Sequence, residues 1–62
     1  MQGAGVIIVE DESIIAMDIE VVLGQRGYRV LATVSDADEA VLKTGELSPD
    51  IVLMDIVLDG DK

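Results

Sequence analysis

Short apolar runs along the chain predict strands. Val6 to Val9 is a run of four β-branched residues, with glycines before it and acidic residues after it. Such a run is typical of a strand buried on both faces, as in parallel sheets. Ile51 to Met54 repeats this pattern after Pro49. Between them, Tyr28 to Val34 predicts a second strand with alternating apolar positions, and one of its faces carries Tyr28, Val30, Ala32 and Val34.

The residues between the first two strands have the apolar period of a helix. One stripe, with the spacing i, i+4, i+7 and i+8, consists of Ile15, Ile19, Val22 and Leu23. Ser13, or Asp11 just before it, is suited to cap the start of this helix. Gly27 stands where a left-handed C-terminal residue is needed. Gly24 costs the helix about 1 kcal/mol relative to alanine, which indicates a packing demand there.

A second, shorter helix is predicted to open at Ser35 and Asp36. Asp36, with Glu39 three residues later, resembles a capping box. Gly45 is expected to end the helix, and its apolar stripe consists of Ala37, Ala40 and Val41. The predicted order is therefore β-α-β-α-β, which indicates an α/β fold with a parallel sheet and right-handed crossovers.

Acidic residues follow two of the predicted strands. Glu10, Asp11 and Glu12 come after the first strand, and Asp55 follows the third. Ligands of open parallel sheets bind beyond the carboxyl ends of the strands. If these two strands are neighbours, Glu10, Asp11 and Asp55 converge, and their mutual repulsion requires protonation or a cation. Mg²⁺ suits such carboxylates, and a carboxylate beside it can attack phosphorus to form an aspartyl phosphate.

Charge and missing residue types narrow the chemistry further. Four lysines and arginines against thirteen acidic residues give a net charge of −9, which disfavours direct binding of nucleic acid. The chain has no cysteine and no histidine, so any metal must have oxygen ligands. Half the residues are apolar, which argues against disorder. The longest apolar runs have four residues, too short for a membrane span or signal peptide, so a cytoplasmic location is expected.

Each acidic segment taken alone has a plainer interpretation. Acidic residues are favoured at helix N-termini, and an aspartate after a strand often forms a turn. The two segments together are a more specific sign of a functional site than either alone. They require two buried strands, separated by an α-β-α passage, that both end in acidic residues.

With these motifs in place, the chain resembles the first half of the receiver domain of two-component signalling. The matching segments follow the family's order and spacing at residues 6–12, 27–30, 37–40 and 49–60. The most specific of them is Pro-Asp-Ile-Val-Leu-Met-Asp at residues 49–55. The resemblance implies a flavodoxin-like parallel sheet truncated to β-α-β-α-β, with the first strand between the second and third. Residues 1–62 would then form a partial receiver domain.

The resemblance also implies roles for single residues. Asp55 matches the phosphoacceptor, and Asp11 matches the acid that ligates Mg²⁺ directly. Glu10 matches the neighbouring acid, which reaches the ion through water, and the backbone carbonyl of Val57 matches the third protein ligand. Glu12 matches a variable helix-start position and is expected to act as a cap. The implied function is a signalling module phosphorylated on Asp55 by a histidine kinase or phosphotransfer protein, a substrate more than an enzyme.

The family pattern places a hydroxyl residue and a lysine on later strands, beyond these 62 residues. Phosphoryl transfer by this stretch alone is therefore expected to be impaired. The third strand would be an edge with exposed apolar side chains, so a homodimer or higher self-association through it is expected. A non-catalytic, self-associating half-domain is the alternative function. A phosphohydrolase with a nucleophilic aspartate is disfavoured, because that family has a second aspartate where this chain has Val57.

Overall fold

The computed structural model describes residues 3–55, and for Asp55 it describes the backbone alone. Five elements follow the predicted order, and they are β1 (Gly5–Glu10), α1 (Ser13–Gln25), β2 (Arg29–Val34), α2 (Ala37–Leu47) and β3 (Ile51–Asp55). The three strands form one parallel sheet in the order β2-β1-β3. The predicted α/β class and the central first strand are therefore confirmed, and the strand order is that of the truncated flavodoxin-like sheet that the resemblance implied.

The core of the molecule is built around β1. All six of its residues are buried, which confirms a strand covered on both faces. Both helices pack on β1 and β2. Against one face of the sheet, Ala40 of α2 forms a cluster with Ile7, Val9 and Val34. Ala16 is the buried residue of α1.

The start of α1 follows the prediction only in part. The N-cap residue is Glu12, as the resemblance implied, but its side chain makes no capping hydrogen bond within the described residues. Ser13 is the first residue of the helix itself, so the predicted cap by Ser13 or Asp11 is wrong. The physical reason lies in the preceding turn, where the Glu12 N–H donates to a side-chain oxygen of Glu10 at 3.0 Å. Glu12 has the extended backbone conformation of an N-cap residue, and the helix begins directly after it.

The end of α1 follows the prediction. Gly27 has a φ of 90°, a left-handed value that glycine adopts without a steric penalty. The Tyr28 N–H donates to the Leu23 carbonyl at 3.0 Å, and the Gly27 N–H donates to the Gly24 carbonyl at 3.2 Å. These two bonds form a Schellman motif, which satisfies carbonyls of the last helical turn.

The apolar stripe of α1 is only half covered. Ile19 and Leu23 are partly buried, whereas Ile15 and Val22 are exposed. The helix packs on two strands, β1 and β2, which are too narrow to cover its whole apolar surface. Beyond the helix's own nearby backbone, no atom of residues 3–55 lies within 4 Å of a Cβ added at Gly24, so the packing demand inferred there is also wrong.

An irregularity in β2 changes which of its residues share a face. Val6 pairs with Val30, but the next residue of β1, Ile7, pairs with Ala32, so Leu31 is an extra residue in the ladder. Neighbouring residues of β1 point to opposite faces. Val30 and Ala32 therefore lie on opposite faces, and the prediction that positions 28, 30, 32 and 34 share one face is wrong.

The predicted start of α2 is confirmed, since the Glu39 N–H donates to the Asp36 carboxylate at 2.8 Å. The predicted end at Gly45 is wrong, because the helix continues to Leu47 and the left-handed residue after it is Ser48, with a φ of 49°. One glycine costs a helix only about 1 kcal/mol relative to alanine, too little to stop it. Val41, predicted as part of the apolar stripe, is exposed, and Ala40 alone is buried.

The third strand lies at an edge of the sheet. Among the described residues it pairs with β1 and with no other strand. Its apolar side chains are between 37% and 57% exposed, as expected for an uncovered edge. Neither helix within residues 3–55 has the length and apolar character to cross a bilayer.

Candidate functional site

The carboxyl end of β1 forms the first part of the candidate site. Glu10 is the last residue of this strand and is only 5% exposed. One of its carboxylate oxygens accepts the Glu12 N–H, so the carboxylate closes the turn between β1 and α1. Asp11, the next residue, is exposed to solvent. The turn thus places a buried, hydrogen-bonded carboxylate, that of Glu10, next in sequence to a solvent-exposed one, that of Asp11.

The end of β3 forms the second part of the site. Register pairs Glu10 with Asp55 across the parallel β1–β3 ladder. Neighbouring strands lie about 4.8 Å apart, so the backbone of Asp55 is one strand spacing from that of Glu10. The sheet therefore brings Glu10, Asp11 and the backbone of Asp55 to one edge, where the sequence predicted them to converge. The side chain of Asp55 and the whole of Val57 lie outside the described residues.

The donor types at this edge suit a hard divalent cation. Carboxylate oxygens are the ligands that Mg²⁺ prefers, with waters and phosphate oxygens completing its shell. Within residues 3–55, no three acidic side chains are grouped closely enough to hold an ion. Glu10 and Asp11 thus supply two carboxylates of the predicted set, and a third would have to come from the side chain of Asp55. The assignment of metal ligands stays a prediction.

A cavity of about 320 Å³ opens beside these carboxylates. It is lined by residues at and after the carboxyl ends of β1 and β2, by residues of α1, and by Glu39 of α2. Its apolar lining includes Ala16 and Val34. Its polar lining consists of four acidic residues and three hydroxyl residues, namely Glu10, Asp11, Glu20, Glu39, Ser13, Thr33 and Ser35. The acidic walls favour cationic groups over anionic ones.

Sequence reasoning did not identify this cavity. Its walls come from four elements and the turns after two strands, which only the folded chain brings together. A signal was nevertheless present in α1. Ser13, Met17 and Glu20 have the spacing i, i+4 and i+7, which places them along one side of a helix. This side is separate from the stripe of Ile19 and Leu23 that the hydrophobic pattern selected.

Comparison with known proteins connects this geometry to a family. Residues 6–62 match the model of the response regulator receiver domain. The chain is 39% identical over 56 residues to the chemotaxis protein CheY of Thermotoga maritima, an alignment that covers 90% of the chain and 47% of that protein.

Two transcriptional regulatory proteins are similar to a comparable degree. PdtaR of Mycobacterium tuberculosis is 39% identical over 51 residues, covering 82% of this chain and 25% of that protein. LiaR of Bacillus subtilis is 36% identical over 56 residues, covering 89% of this chain and 26% of that protein. The chain therefore spans about half the length of the first of these relatives and about a quarter of the other two.

Proposed function

This chain belongs to the response regulator receiver domain family of two-component systems, and on that basis we propose that it accepts a phosphoryl group on Asp55. The observation that carries the proposal is the pairing of Asp55 with Glu10 at the carboxyl ends of β3 and β1. This pairing supports a site in which an acidic turn stands beside the residue that reacts. The donor of the phosphoryl group would be a histidine kinase or a phosphotransfer protein.

The transfer itself is an exchange of one bond to phosphorus for another. A carboxylate oxygen of Asp55 attacks the phosphorus of a phosphohistidine, the P–N bond breaks, and the imidazole leaves with the electron pair and takes up a proton. Bound Mg²⁺ would offset the negative charge of the transferring oxygens. We propose Asp11 as its direct ligand, Glu10 as a ligand through water, and the carboxylate of Asp55 and carbonyl of Val57 as the remaining protein ligands.

The protein's part in this reaction is that of a substrate in a signalling relay, not of an enzyme with its own turnover. Its net charge of −9 supports protein partners over direct nucleic-acid contact. We place the reaction in the cytoplasm. In an assay on these 62 residues alone, transfer should be slow, because the family's hydroxyl residue and lysine of later strands are not among them.

The test is covalent labelling with acetyl phosphate in the presence of Mg²⁺, followed by intact mass and peptide mapping. We expect the mass to rise by one phosphoryl group, located on Asp55. Asp55→Asn should abolish the labelling, and the matched control Asp38→Asn, an exposed aspartate of α2, should preserve it. Labelling that persists in Asp55→Asn would contradict the proposal.

Thermal unfolding tests the metal site separately. A ligand that binds only the folded state stabilises it by about 2.7 kcal/mol at a hundred times its dissociation constant. Mg²⁺ should therefore raise the melting temperature of the wild type but not that of Asp55→Ala. An equal rise of the melting temperature in both proteins would show that Asp55 is not a ligand of the metal.

The exposed apolar residues of β3 favour a second candidate function, a self-associating module without phosphoryl chemistry. The two functions are distinguishable. Self-association that is unaffected by Mg²⁺ and by Asp55→Ala, in a chain that takes up no phosphoryl group, would support the second candidate over the first.

A further inference from the structure

We propose that Asp50 is a positioning residue that fixes the register of β3 and thereby sets Asp55 level with Glu10. Two hydrogen bonds carry the inference. The Gly5 N–H donates to the Asp50 carboxylate at 2.7 Å, and the Asp50 N–H donates to the Gly5 carbonyl at 2.9 Å. Asp50 directly precedes β3, and Gly5 is the first residue of β1. The proposal rests on the function proposed for Asp55 and names a residue that serves it from the opposite end of the strand.

The register of β3 needs such a contact because its side chains specify it weakly. Ile51 to Met54 are all apolar, so the strand has no alternation of apolar and polar residues. Each of them is more than a third exposed, on both faces of the sheet. Register is strongly specified where one face of a strand is buried and the other solvated, and β3 lacks that difference between its faces. Both helices pack on β1 and β2, and the extensive contacts of β3 within residues 3–55 are with β1.

The pair of hydrogen bonds between Asp50 and Gly5 distinguishes the observed register from its neighbours. A slip of one residue moves a strand by about 3.3 Å, which is more than a hydrogen bond tolerates. One such slip would place Met54 beside Glu10 and carry Asp55 past the end of β1. The side-chain bond would be lost in that register, whereas the apolar contacts of β3 would change little. The bonds of Asp50 at the amino end of β3 therefore determine which residue of β3 lies beside Glu10 at its carboxyl end.

Three variants test this assignment. Asp50→Ala removes the acceptor, and Asp50→Asn retains an oxygen that accepts the Gly5 N–H without a negative charge. Asp36→Ala is the matched control, since it also removes an aspartate that accepts a backbone N–H, at 2.8 Å, but on α2. Two quantities are measured for each folded variant. One is the set of cross-strand nuclear Overhauser contacts between β1 and β3, and the other is the labelling rate with acetyl phosphate and Mg²⁺.

We expect Asp50→Ala to lose the contact between the backbones of Glu10 and Asp55 and to gain contacts of a shifted register. Its labelling rate should fall by about a hundredfold, as expected when a reacting group is misplaced by about 1 Å or more. Asp50→Asn should restore both quantities, and Asp36→Ala should leave both near wild type once the folded fraction is taken into account. Native cross-strand contacts and an unchanged rate in Asp50→Ala would overturn the proposal.

Two further results separate this proposal from the proposed function. If the wild type takes up no phosphoryl group, the proposed function fails, and the cross-strand contacts still decide whether Asp50 sets the register. If Asp50→Ala does not fold, the wild-type Gly5 amide provides the measurement. Its hydrogen exchange should be as slow as that of the amides within β1, and exchange as fast as that of the Gly3 amide would overturn the proposal.

Discussion

At the scale of single residues, the glycines in and beside the helices differ in whether their position requires glycine. Gly27 has a φ of 90° in the Schellman motif that ends α1. Gly24 and Gly45 lie inside helices, and a Cβ added at either position would meet no atom of the described residues within 4 Å apart from the helix's own nearby backbone. Only the first of these positions requires the conformational freedom of glycine, and the other two lower helix stability without a compensating contact.

Alanine substitutions should therefore have opposite signs. Gly24→Ala and Gly45→Ala should each raise the free energy of unfolding by about 1 kcal/mol, because alanine restricts the unfolded chain and favours the helix. Gly27→Ala should lower it by about 1 kcal/mol, because alanine is strained at positive φ. Urea titrations of the three variants measure these differences. Destabilisation by Gly24→Ala would mean that the glycine has a packing role that its open surroundings do not reveal.

Sequence reasoning was accurate for residues whose roles depend on near neighbours. Gly27 and Asp36 were recognised because a left-handed C-terminus and an N-cap have local signatures. The resemblance placed Glu12 at the start of α1, but neither its lack of a capping side-chain bond nor the extra residue Leu31 was predicted. The position of Glu12 depends on a hydrogen bond to Glu10, and Leu31 becomes an extra residue only when β2 pairs with β1. Such effects of pairing are absent from the one-dimensional pattern.

At the scale of elements, the N-termini of the two helices differ in how they are satisfied. The Asp36 carboxylate accepts the Glu39 N–H at the start of α2, whereas Glu12 provides no side-chain bond at the start of α1. The first helix thus lacks the stabilising side-chain capping bond that the second helix has, although it is the longer of the two.

Cap substitutions should reflect this difference. Asp36→Ala should destabilise the protein by about 1 kcal/mol, and Glu12→Ala should have an effect near zero. Glu12→Ser should stabilise it by about 0.5–1 kcal/mol, because serine at an N-cap can accept a backbone N–H of the first turn. Thermal denaturation is a suitable measurement, since about 1 kcal/mol shifts the melting temperature of a domain of this size by about 4–8 °C. Equal losses in Asp36→Ala and Glu12→Ala would contradict this account.

Element types and their order were predictable because apolar periodicity records them directly. The buried run of β1 and the acidic residue at its end required no tertiary information. The buried sides of the helices were less predictable. Both have more apolar residues than a narrow sheet can cover, and Ile15, Val22 and Val41 remain exposed although each belonged to a predicted stripe.

At the scale of the whole molecule, the uncovered β3 edge should promote self-association. Pairing of β3 with β3 of a second copy, across a two-fold axis, would satisfy backbone groups and cover apolar side chains. Light scattering at micromolar concentration should give a mass above that of one chain. The association should strengthen with salt, because each copy has a net charge of −9 and salt screens the repulsion between copies.

A pair of lysine variants locates the contact. Leu53→Lys places a charge on β3 and should return the mass to that of one chain. Val41→Lys makes the same change at an exposed apolar residue of α2 and should leave association intact. A single-chain mass for the wild type, or equal changes of mass in the two variants, would contradict association through β3.

The neighbour relations of the strands came from the family resemblance, because periodicity alone does not order strands in a sheet. That resemblance implied that Glu10 and Asp55 lie on neighbouring strands, and the register of β1 and β3 pairs them. The cavity at the carboxyl ends of β1 and β2 was not predicted, since its lining joins residues from distant parts of the chain. Composition, by contrast, restricted any metal ligands to oxygen from the start.

The position of Tyr28 has a practical consequence for spectroscopy. It is the only aromatic residue in the chain, and its backbone N–H donates a hydrogen bond to the Leu23 carbonyl in the last turn of α1. Intrinsic fluorescence therefore reports on the junction between α1 and β2, at the opposite end of the sheet from Glu10. Undocking of β3 would leave that emission nearly unchanged while the far-ultraviolet circular dichroism decreased. An optical probe of the carboxyl ends of β1 and β3 must therefore be introduced, and a single tryptophan in β3 would provide one.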